Sequence, residues 1–186
     1  MTLLSQMRCH RMATNEDVMN SLIELSIQLD AEALTCRAVI ETPKCRQFKF
    51  DYALESGLFE LAGVLPTGMS FPLAFGLIPS TIAEDSDPMD VLVLAEEDLP
   101  VGCLLTLRLL GLIEAAQTEG GNTVRDDRII GKVAQSRLFA DVTEVGDLGE
   151  AFTGELGRFF VAYNALKDQR FEITSVDGAK RAARRV

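Results

Sequence analysis

An acidic run at residues 84–90 contains the side chains of this sequence that are best suited to chemistry. Asp85, Asp87 and Asp90 lie close together there, directly before the apolar segment 91–94. Carboxylates at this spacing repel one another and raise each other's pKa unless a cation lies between them. Carboxylate oxygens are also the ligands that hard divalent ions prefer. The spacing therefore predicts a binding site for divalent cations.

Two other interpretations of the acidic run compete with a metal site of this kind. A solvated acidic turn is the simpler one and stays open, because charged runs usually form exposed surface. A calcium-binding EF-hand loop is excluded. Asp90 stands at the position where that loop requires glycine, and the apolar residues that follow favour a strand instead of a helix.

Composition excludes several other classes of function. The chain has 186 residues and a net charge of -10, which disfavours a nucleic-acid partner. Its single histidine, His10, leaves no histidine-based metal site or hydrolytic triad. No apolar stretch approaches the roughly 20 residues of a membrane span, and no secretory signal is evident, so we expect a cytoplasmic protein without membrane contact.

The elements that must position the acidic run alternate between helical and strand patterns. Helical spacing predicts one helix over residues 15–34 and another over residues 148–167. Short apolar or alternating runs bounded by glycine and proline predict strands between them. These strands cover residues 38–40, 47–52, 58–64, 91–94, 104–114 and 127–133. The polar, glycine-rich segment 117–123 is expected to be an exposed loop. The prediction is an α+β fold with an antiparallel sheet or small barrel of about five or six strands.

The acidic run and its neighbouring segments resemble the family I soluble inorganic pyrophosphatases. The run D-x-D-P-x-D resembles the signature of that family. The segments V-I-E-T-P, F-K-F-D with E-S-G, F-G-L-I-P, P-V-G and F-F-V-A-Y follow the family's order along residues 37–171. The resemblance implies a five-stranded closed β-barrel flanked by helices, over residues 37–175. Residues 1–36 would then be a helical extension and residues 176–186 a basic tail.

The resemblance also implies an activity and a set of site residues. The activity is hydrolysis of inorganic pyrophosphate with several Mg²⁺ ions, in a homo-oligomer that is a dimer or a hexamer. Asp87 matches the carboxylate that takes a proton from the attacking water. Lys49, Arg128 and Tyr163 match groups that hold phosphate oxygens. The matching metal ligands are Asp85, Asp90, Asp126, Glu41 and Asp51, with Asp127 as an alternative to Asp126.

The chain departs from the family pattern at several site positions. Gly63 and Asn164 stand where the family has an arginine and a lysine, and Gln117 replaces an aspartate. Phe71 and Phe75 replace two tyrosines. We expect Arg125, in the longer loop that follows Gln117, to supply a compensating cation to the substrate.

Two rival functions follow from these departures and from the fold. One is an attenuated member of the same fold that acts on another phosphoanhydride or only binds phosphate. The other is a non-enzymatic β-barrel binding module.

Overall fold

The structure is a computed structural model that describes residues 22, 25–84 and 87–186, and it shows an α+β fold dominated by strands. The strands are β1 Thr35–Thr42, β2 Phe48–Ala53, β3 Leu58–Val64, β4 Ala74–Ile78, β5 Met89–Leu94, β6 Leu104–Glu119, β7 Asn122–Arg125, β8 Arg128–Val133 and β9 Arg170–Gly178. The helices are a 3-10 turn at Val145–Leu148, α1 Gly149–Ala165 and α2 Ala179–Arg185.

Seven of these strands form one sheet, and β2 and β3 form a separate two-stranded sheet. The order in the larger sheet is β1-β4-β5-β8-β6-β7, with additional pairings of β6 to β9 and to β1. All these pairs are antiparallel except β5 and β8, which run parallel. The prediction of a purely antiparallel sheet is therefore wrong at this pair. The chain travels out through β6 and β7 and returns between β5 and β6, which gives β8 the direction of β5.

The apolar core lies on both faces of the larger sheet. On one face, Leu156 and Phe160 of α1 are buried against the aromatic residues Phe71 and Phe75. On the other face, Ala182 of α2 is buried with Cys36 of β1 and its neighbours. Successive side chains of a strand point to opposite faces of a sheet, so strands of this sheet contribute apolar side chains to both clusters.

Most of the predicted elements are present, with changed ends. The helix predicted over residues 148–167 is α1, and the strand predicted over residues 58–64 is β3 with the same bounds. The exposed loop predicted at residues 117–123 is wrong, because these residues belong to a β6–β7 hairpin. Its turn is made by Gly120 and Gly121, with φ angles of 55° and 87°. Two consecutive residues with positive φ produce the tight hairpin turn that matches strand twist.

The helix predicted over residues 15–34 is wrong for the part that the structure describes. Residues 25–34 form a bend, a segment without regular structure, an isolated β-bridge at Asp30 and turns, and the remainder of the prediction lies largely outside the described residues. Asp30 explains the difference. Its carboxylate accepts hydrogen bonds from the amides of Glu32 and Ala33 at 3.0 and 2.8 Å, which gives the backbone an alternative to a helix.

One glycine of β4 is required by the close approach of its neighbouring strand. Gly76 lies opposite Ile40 of β1, and a Cβ atom at Gly76 would overlap the carbonyl oxygen of Val39. Since both strands are fully buried there, neither can move away without opening the core.

No helix in the described part of the chain is long and apolar enough to cross a membrane.

Glu96 anchors the segment that follows β8. Its carboxylate accepts hydrogen bonds from the hydroxyl of Ser136 and from the amides of Arg137 and Leu138, at 2.8 to 2.9 Å. The hydrogen bond from the Leu138 amide is the largest cause that lowers the pKa of Glu96, to about 2. The ionised carboxylate therefore helps hold this segment against β5.

We predict that Glu96→Gln lowers the melting temperature at pH 7. A carboxyl group whose pKa is depressed by folding stabilises the protein above its unfolded pKa and loses that effect as pH falls through its folded pKa. The melting-temperature difference between variant and wild type should therefore shrink between about pH 4.5 and pH 2. Thermal unfolding followed by circular dichroism measures it. Glu97→Gln is the control, since Glu97 accepts none of these hydrogen bonds. A difference that is the same at both ends of this pH range would contradict the assignment.

Candidate active site

One cleft of about 220 Å³ at the edge of the larger sheet gathers almost all of the predicted site residues. It lies where β1, β2, the start of β5, the end of β7 and the start of β8 meet. Its charged and amide side chains are Glu41, Lys49, Asp51, Asp87, Asp90, Gln117, Arg125, Asp126, Asp127, Arg128 and Arg185. Asp85 lies outside the described residues. Tyr163 lines a smaller hollow that opens from the same cleft and shares Glu41, Lys49, Asp51, Asp90, Gln117 and Arg128 with it.

Strand geometry brings the charged pairs of the cleft together. Lys49 and Asp51 are two residues apart on β2, so their side chains lie on the same face, and Lys49 Nζ is 2.7 Å from Asp51 Oδ2. The parallel register of β5 and β8 sets Val91 opposite Ile129. The preceding residue of each strand, Asp90 and Arg128, therefore lies beside the other at the mouth of the cleft.

Arg128 bridges two carboxylates of the cleft. Its Nη1 lies 2.7 Å from Asp90 Oδ2, and its Nη2 donates a hydrogen bond of 2.8 Å to Asp126 Oδ2. Nη1 also contacts Asp126 Oδ1. The guanidinium carbon of Arg128 lies 5.7 Å from the centre of the Phe160 ring, at a distance typical of a cation–π contact. The planar fork of arginine suits such a two-carboxylate contact, whereas lysine offers a single charged point.

Glu41 is a partly buried carboxyl group of the cleft. Its burial first, and the charges of Asp90 and Asp51 as smaller causes, raise the pKa of Glu41 to about 8, against a hydrogen bond from the Tyr52 amide and the charge of Lys49, which lower it. That hydrogen bond measures 2.9 Å. Repulsion between carboxylates therefore acts on Glu41, which lies outside the acidic run.

Lys49 and Tyr163 lie close together between the cleft and the smaller hollow. Burial by itself lowers the pKa of Lys49, but the charge of Asp51 and the proximity of Tyr163 outweigh burial and raise it. Lys49 therefore keeps its positive charge beside the cluster of carboxylates.

The donor atoms of the cleft fit Mg²⁺ in chemical type. Glu41, Asp51, Asp90 and Asp126 offer carboxylate oxygens toward one space, and Mg²⁺ prefers oxygen ligands and keeps several waters. Burial is the largest cause of the raised pKa of Glu41, and the nearby charges of Asp90 and Asp51 add a smaller repulsion that a cation would relieve. No three carboxylates of the described residues converge closely enough to form a ready metal cluster, and Arg128 lies between two of them.

Lys167 is a cation of the smaller hollow that sequence reasoning missed. Its Nζ lies 4.7 Å from the centre of the Tyr163 ring, and it lines the hollow together with Lys49, Arg128 and Asn164. It forms no ion pair with any residue that the structure describes. Asn164 is buried, and its amide donates a hydrogen bond of 3.0 Å to the Phe160 carbonyl. A signal existed in the sequence, because residues four apart on a helix share one face and Lys167 follows Tyr163 by four.

Arg125 lines the cleft and is also paired with other residues. Its Nε donates to Asp127 Oδ2, and its Nη2 lies 2.9 Å from Glu114 Oε1. Arg185 of α2 donates to the same Asp127 oxygen at 2.9 Å. Asp127 therefore faces Arg125 and Arg185, whereas Asp126 faces Arg128 and Asp90. The place of Arg185 in the cleft left no local signal, since it lies 58 residues from Asp127 along the chain.

Comparison with known proteins assigns this chain to a family. The family model described as inorganic pyrophosphatase matches residues 38–186. The chain belongs to the inorganic pyrophosphatase family. An inorganic pyrophosphatase of Thermus thermophilus is 35% identical over 140 residues, which cover 75% of this chain and 78% of that relative. One of Halalkalibacterium halodurans is 32% identical over 153 residues, covering 82% of this chain and 91% of the relative.

Solved structures agree with this family assignment. The crystal structure of the Thermus thermophilus inorganic pyrophosphatase superposes with a TM-score of 0.78 at 32% identity, covering 87% of this chain and 92% of that chain. An inorganic pyrophosphatase from Neisseria gonorrhoeae superposes with a TM-score of 0.79 at 25% identity, covering 88% and 93%. The sheet-dominated α+β fold is therefore that of inorganic pyrophosphatases.

The departures from the pyrophosphatase pattern fall at the cleft and beside it. Gly63 pairs with Lys49 in the β2–β3 sheet, and a Cβ atom there would lie 3.9 Å from Lys49 Cβ. A longer side chain at this position would stand next to Lys49, so the missing arginine leaves open space. Gln117 lines both the cleft and the smaller hollow.

Phe71 and Phe75 replace family tyrosines and belong to the core. Phe71 is fully buried, and its ring centre lies 5.0 Å from that of Phe75 and 5.9 Å from that of Tyr163. Phe75 also lines the smaller hollow. Phe71 therefore packs against Tyr163. Neither Phe71 nor Phe75 has a hydroxyl group that could bind a substrate.

Proposed function

We propose that this chain hydrolyses inorganic pyrophosphate to two phosphates in a Mg²⁺-dependent reaction. The observation that supports it best is the cleft itself, where four carboxylates face Lys49 and Arg128 in a chain of the inorganic pyrophosphatase family. A substrate with several negative charges needs cations, and oxygen donors bind the metal that such hydrolysis uses.

In this proposal five carboxylates hold the magnesium ions. They are Glu41, Asp51, Asp85, Asp90 and Asp126. The contact that Asp126 and Asp90 share with Arg128 supports Asp126 over Asp127. Bound magnesium supplies charge neutralisation for the phosphates and a lowered pKa for the attacking water. Arg128 keeps Asp90 and Asp126 apart at fixed positions, so that the two carboxylates present oxygens to one space.

The remaining side chains of the cleft bind the substrate and move the proton. Asp87 lies at the exposed edge of the cleft and accepts the proton of the attacking water as general base. Lys49, Arg128 and Tyr163 donate hydrogen bonds to phosphate oxygens. Arg125, at the end of β7, also lines the cleft. Lys167 adds a cation over the Tyr163 ring. This cation takes the place of the lysine that the family has at the position of Asn164.

The finer architectural expectations belong to the same proposal. The pairing of β1 with both β4 and β6 supports a closed ring of β1, β4, β5, β8 and β6, which would be the five-stranded barrel. The barrel domain expected over residues 37–175 is proposed to extend through α2. Arg185 of α2 lines the cleft, which supports this longer catalytic domain. The location is proposed to be cytoplasmic, on the sequence alone.

A homo-oligomer is part of the proposal as well. The β2–β3 sheet exposes apolar side chains that a second copy could cover, since Leu58 is 64% exposed and Val64 62%.

The attenuated rival remains the alternative outcome of the same experiments, because Gly63 and Asn164 remove two cations. No observation favours a non-enzymatic binding module.

We predict that Asp90→Asn abolishes magnesium-supported phosphate release from pyrophosphate. The change removes a charged metal ligand and one of the carboxylate partners of Arg128. Phosphate release and calorimetric titration of magnesium measure the two effects, with Asp98→Asn as the surface control. Equal magnesium binding by wild type and Asp90→Asn would remove Asp90 from the metal site.

We predict that Asp87→Asn lowers kcat by about 10² or more and leaves magnesium affinity within a few-fold. These are the effects expected when a general base is lost and the ligands stay in place. Steady-state kinetics at saturating magnesium, together with magnesium titration, measure both. Lost metal binding with nearly normal turnover would instead make Asp87 a ligand.

We predict that Lys167→Ala raises the KM for pyrophosphate about tenfold with little change in the melting temperature. Lys167 forms no ion pair with a described residue, so it is free to meet a phosphate oxygen, and tenfold is the size of one charge-assisted hydrogen bond. Lys167→Arg should keep most of the affinity, and Lys180→Ala on α2 is the surface control. A KM that Lys167→Ala leaves at the wild-type value would exclude Lys167 from substrate binding.

A further inference from the structure

A second hollow adjoins the cleft and is lined by four arginines. We name it the arginine pocket and define it by Arg125, Arg181, Arg184 and Arg185. Ile82, Ala83 and Glu84 complete its wall. Ala83, Arg125 and Arg185 line both the cleft and the arginine pocket, so the two spaces meet at these residues.

The charges of the arginine pocket are only partly balanced. Glu114 Oε1 accepts hydrogen bonds from Arg125 and Arg181, at 2.9 and 2.8 Å. Asp127 Oδ2 accepts from Arg125 and Arg185. Two carboxylates therefore serve three guanidinium groups. Arg184 forms no ion pair with any residue in the described part of the chain, and Glu84 at the rim is the remaining acidic neighbour.

Hydrogen-bond donors remain at the junction of the two spaces. Arg185 donates through Nε to Asp127, and neither of its terminal nitrogens donates to a described residue. Arg125 uses Nε and Nη2, and Nη1 donates to none. Guanidinium nitrogens in a fixed fork are suited to phosphoryl oxygens.

A purely structural role for the four arginines does not require all of them. Helix α2 is held by its buried Ala179 and Ala182 and by the pairing of Arg181 with Glu114. Arg184 contributes to none of these contacts, yet its side chain lines the pocket.

From this geometry we infer that the arginine pocket binds a phosphoryl group of a linear triphosphate, whose other two groups lie in the cleft. The inference rests on the proposed function, since the cleft is taken to receive a diphosphate. It extends the ligand from two phosphoryl groups to three. Inorganic triphosphate and the triphosphate of a nucleotide share this chemistry.

Calorimetry with the full chain and magnesium tests the pocket separately from catalysis, when the imido-linked, non-hydrolysable forms of pyrophosphate and inorganic triphosphate are used as the ligands. We expect wild type to bind inorganic triphosphate at least about tenfold more tightly than pyrophosphate. Arg184→Ala should remove most of that difference and leave pyrophosphate affinity unchanged. Lys180→Ala, on the same helix but outside the pocket, should behave as wild type. Glu84→Gln should tighten triphosphate binding, because it removes the opposing charge at the rim.

The outcomes separate the pocket from the proposed function. Equal triphosphate affinity in wild type, Arg184→Ala and Lys180→Ala overturns the pocket, and so does the absence of any preference for triphosphate over pyrophosphate. Titration with ATP shows whether the pocket also accepts the triphosphate of a nucleotide. Binding of either triphosphate that depends on Arg184 supports the pocket. Phosphate release from pyrophosphate with magnesium is measured in parallel. Its absence in wild type, beside triphosphate binding that depends on Arg184, contradicts the proposed function and supports the pocket.

Discussion

The contact of Arg128 with Asp90 and Asp126 is the interaction on which the site depends. It exists because β5 and β8 are parallel and in the register that sets Val91 opposite Ile129. The guanidinium neutralises two carboxylates that would otherwise repel each other at the buried start of β8. A single pairing of strands in the sheet thus determines where the negative charge of the cleft is concentrated.

Carboxylates and cations both line the space around this contact. Carboxylates from β1, β2 and β5 face the cleft, Lys49 stands beside them, and Lys167 lies above Tyr163 in the adjoining hollow. Burial is the largest cause of the raised pKa of Glu41, and the charges of Asp90 and Asp51 add to it. A cation held among these carboxylates would reduce their mutual repulsion, and carboxylate oxygens are the ligands that Mg²⁺ prefers.

Local patterns in the sequence predicted the elements better than the contacts between them. The apolar run of β3 and the helical stripe of α1 are encoded by neighbouring residues, and both were predicted close to their observed bounds. The β6–β7 hairpin was taken for a loop, because two glycines signal a turn without revealing that the strands continue on both sides. Asp30 was placed inside a helix, since helical spacing does not register a side chain that binds its own backbone.

Contacts between distant residues were beyond prediction from spacing. The pairing of Arg185 with Asp127 joins residues that lie 58 positions apart along the chain. The parallel β5–β8 register follows from the path of the whole chain. Several residues that line the cleft were nevertheless named from the resemblance, because a motif preserves side-chain chemistry even where its geometry is not evident. Lys167 belongs to no such motif, since it lies in the turn that follows α1.

The packing of Gly76 against Val39 sets a limit on how this chain can evolve. Every single-base change of a glycine codon that leaves a sense codon for another amino acid introduces at least a Cβ atom, and at Gly76 there is no room for one. Gly63 is different, because a Cβ atom there would lie 3.9 Å from Lys49 Cβ, which is an ordinary van der Waals contact. A lineage with this fold can therefore change the side chain at such a position in a single step, while the close approach of β1 and β4 at Gly76 stays fixed.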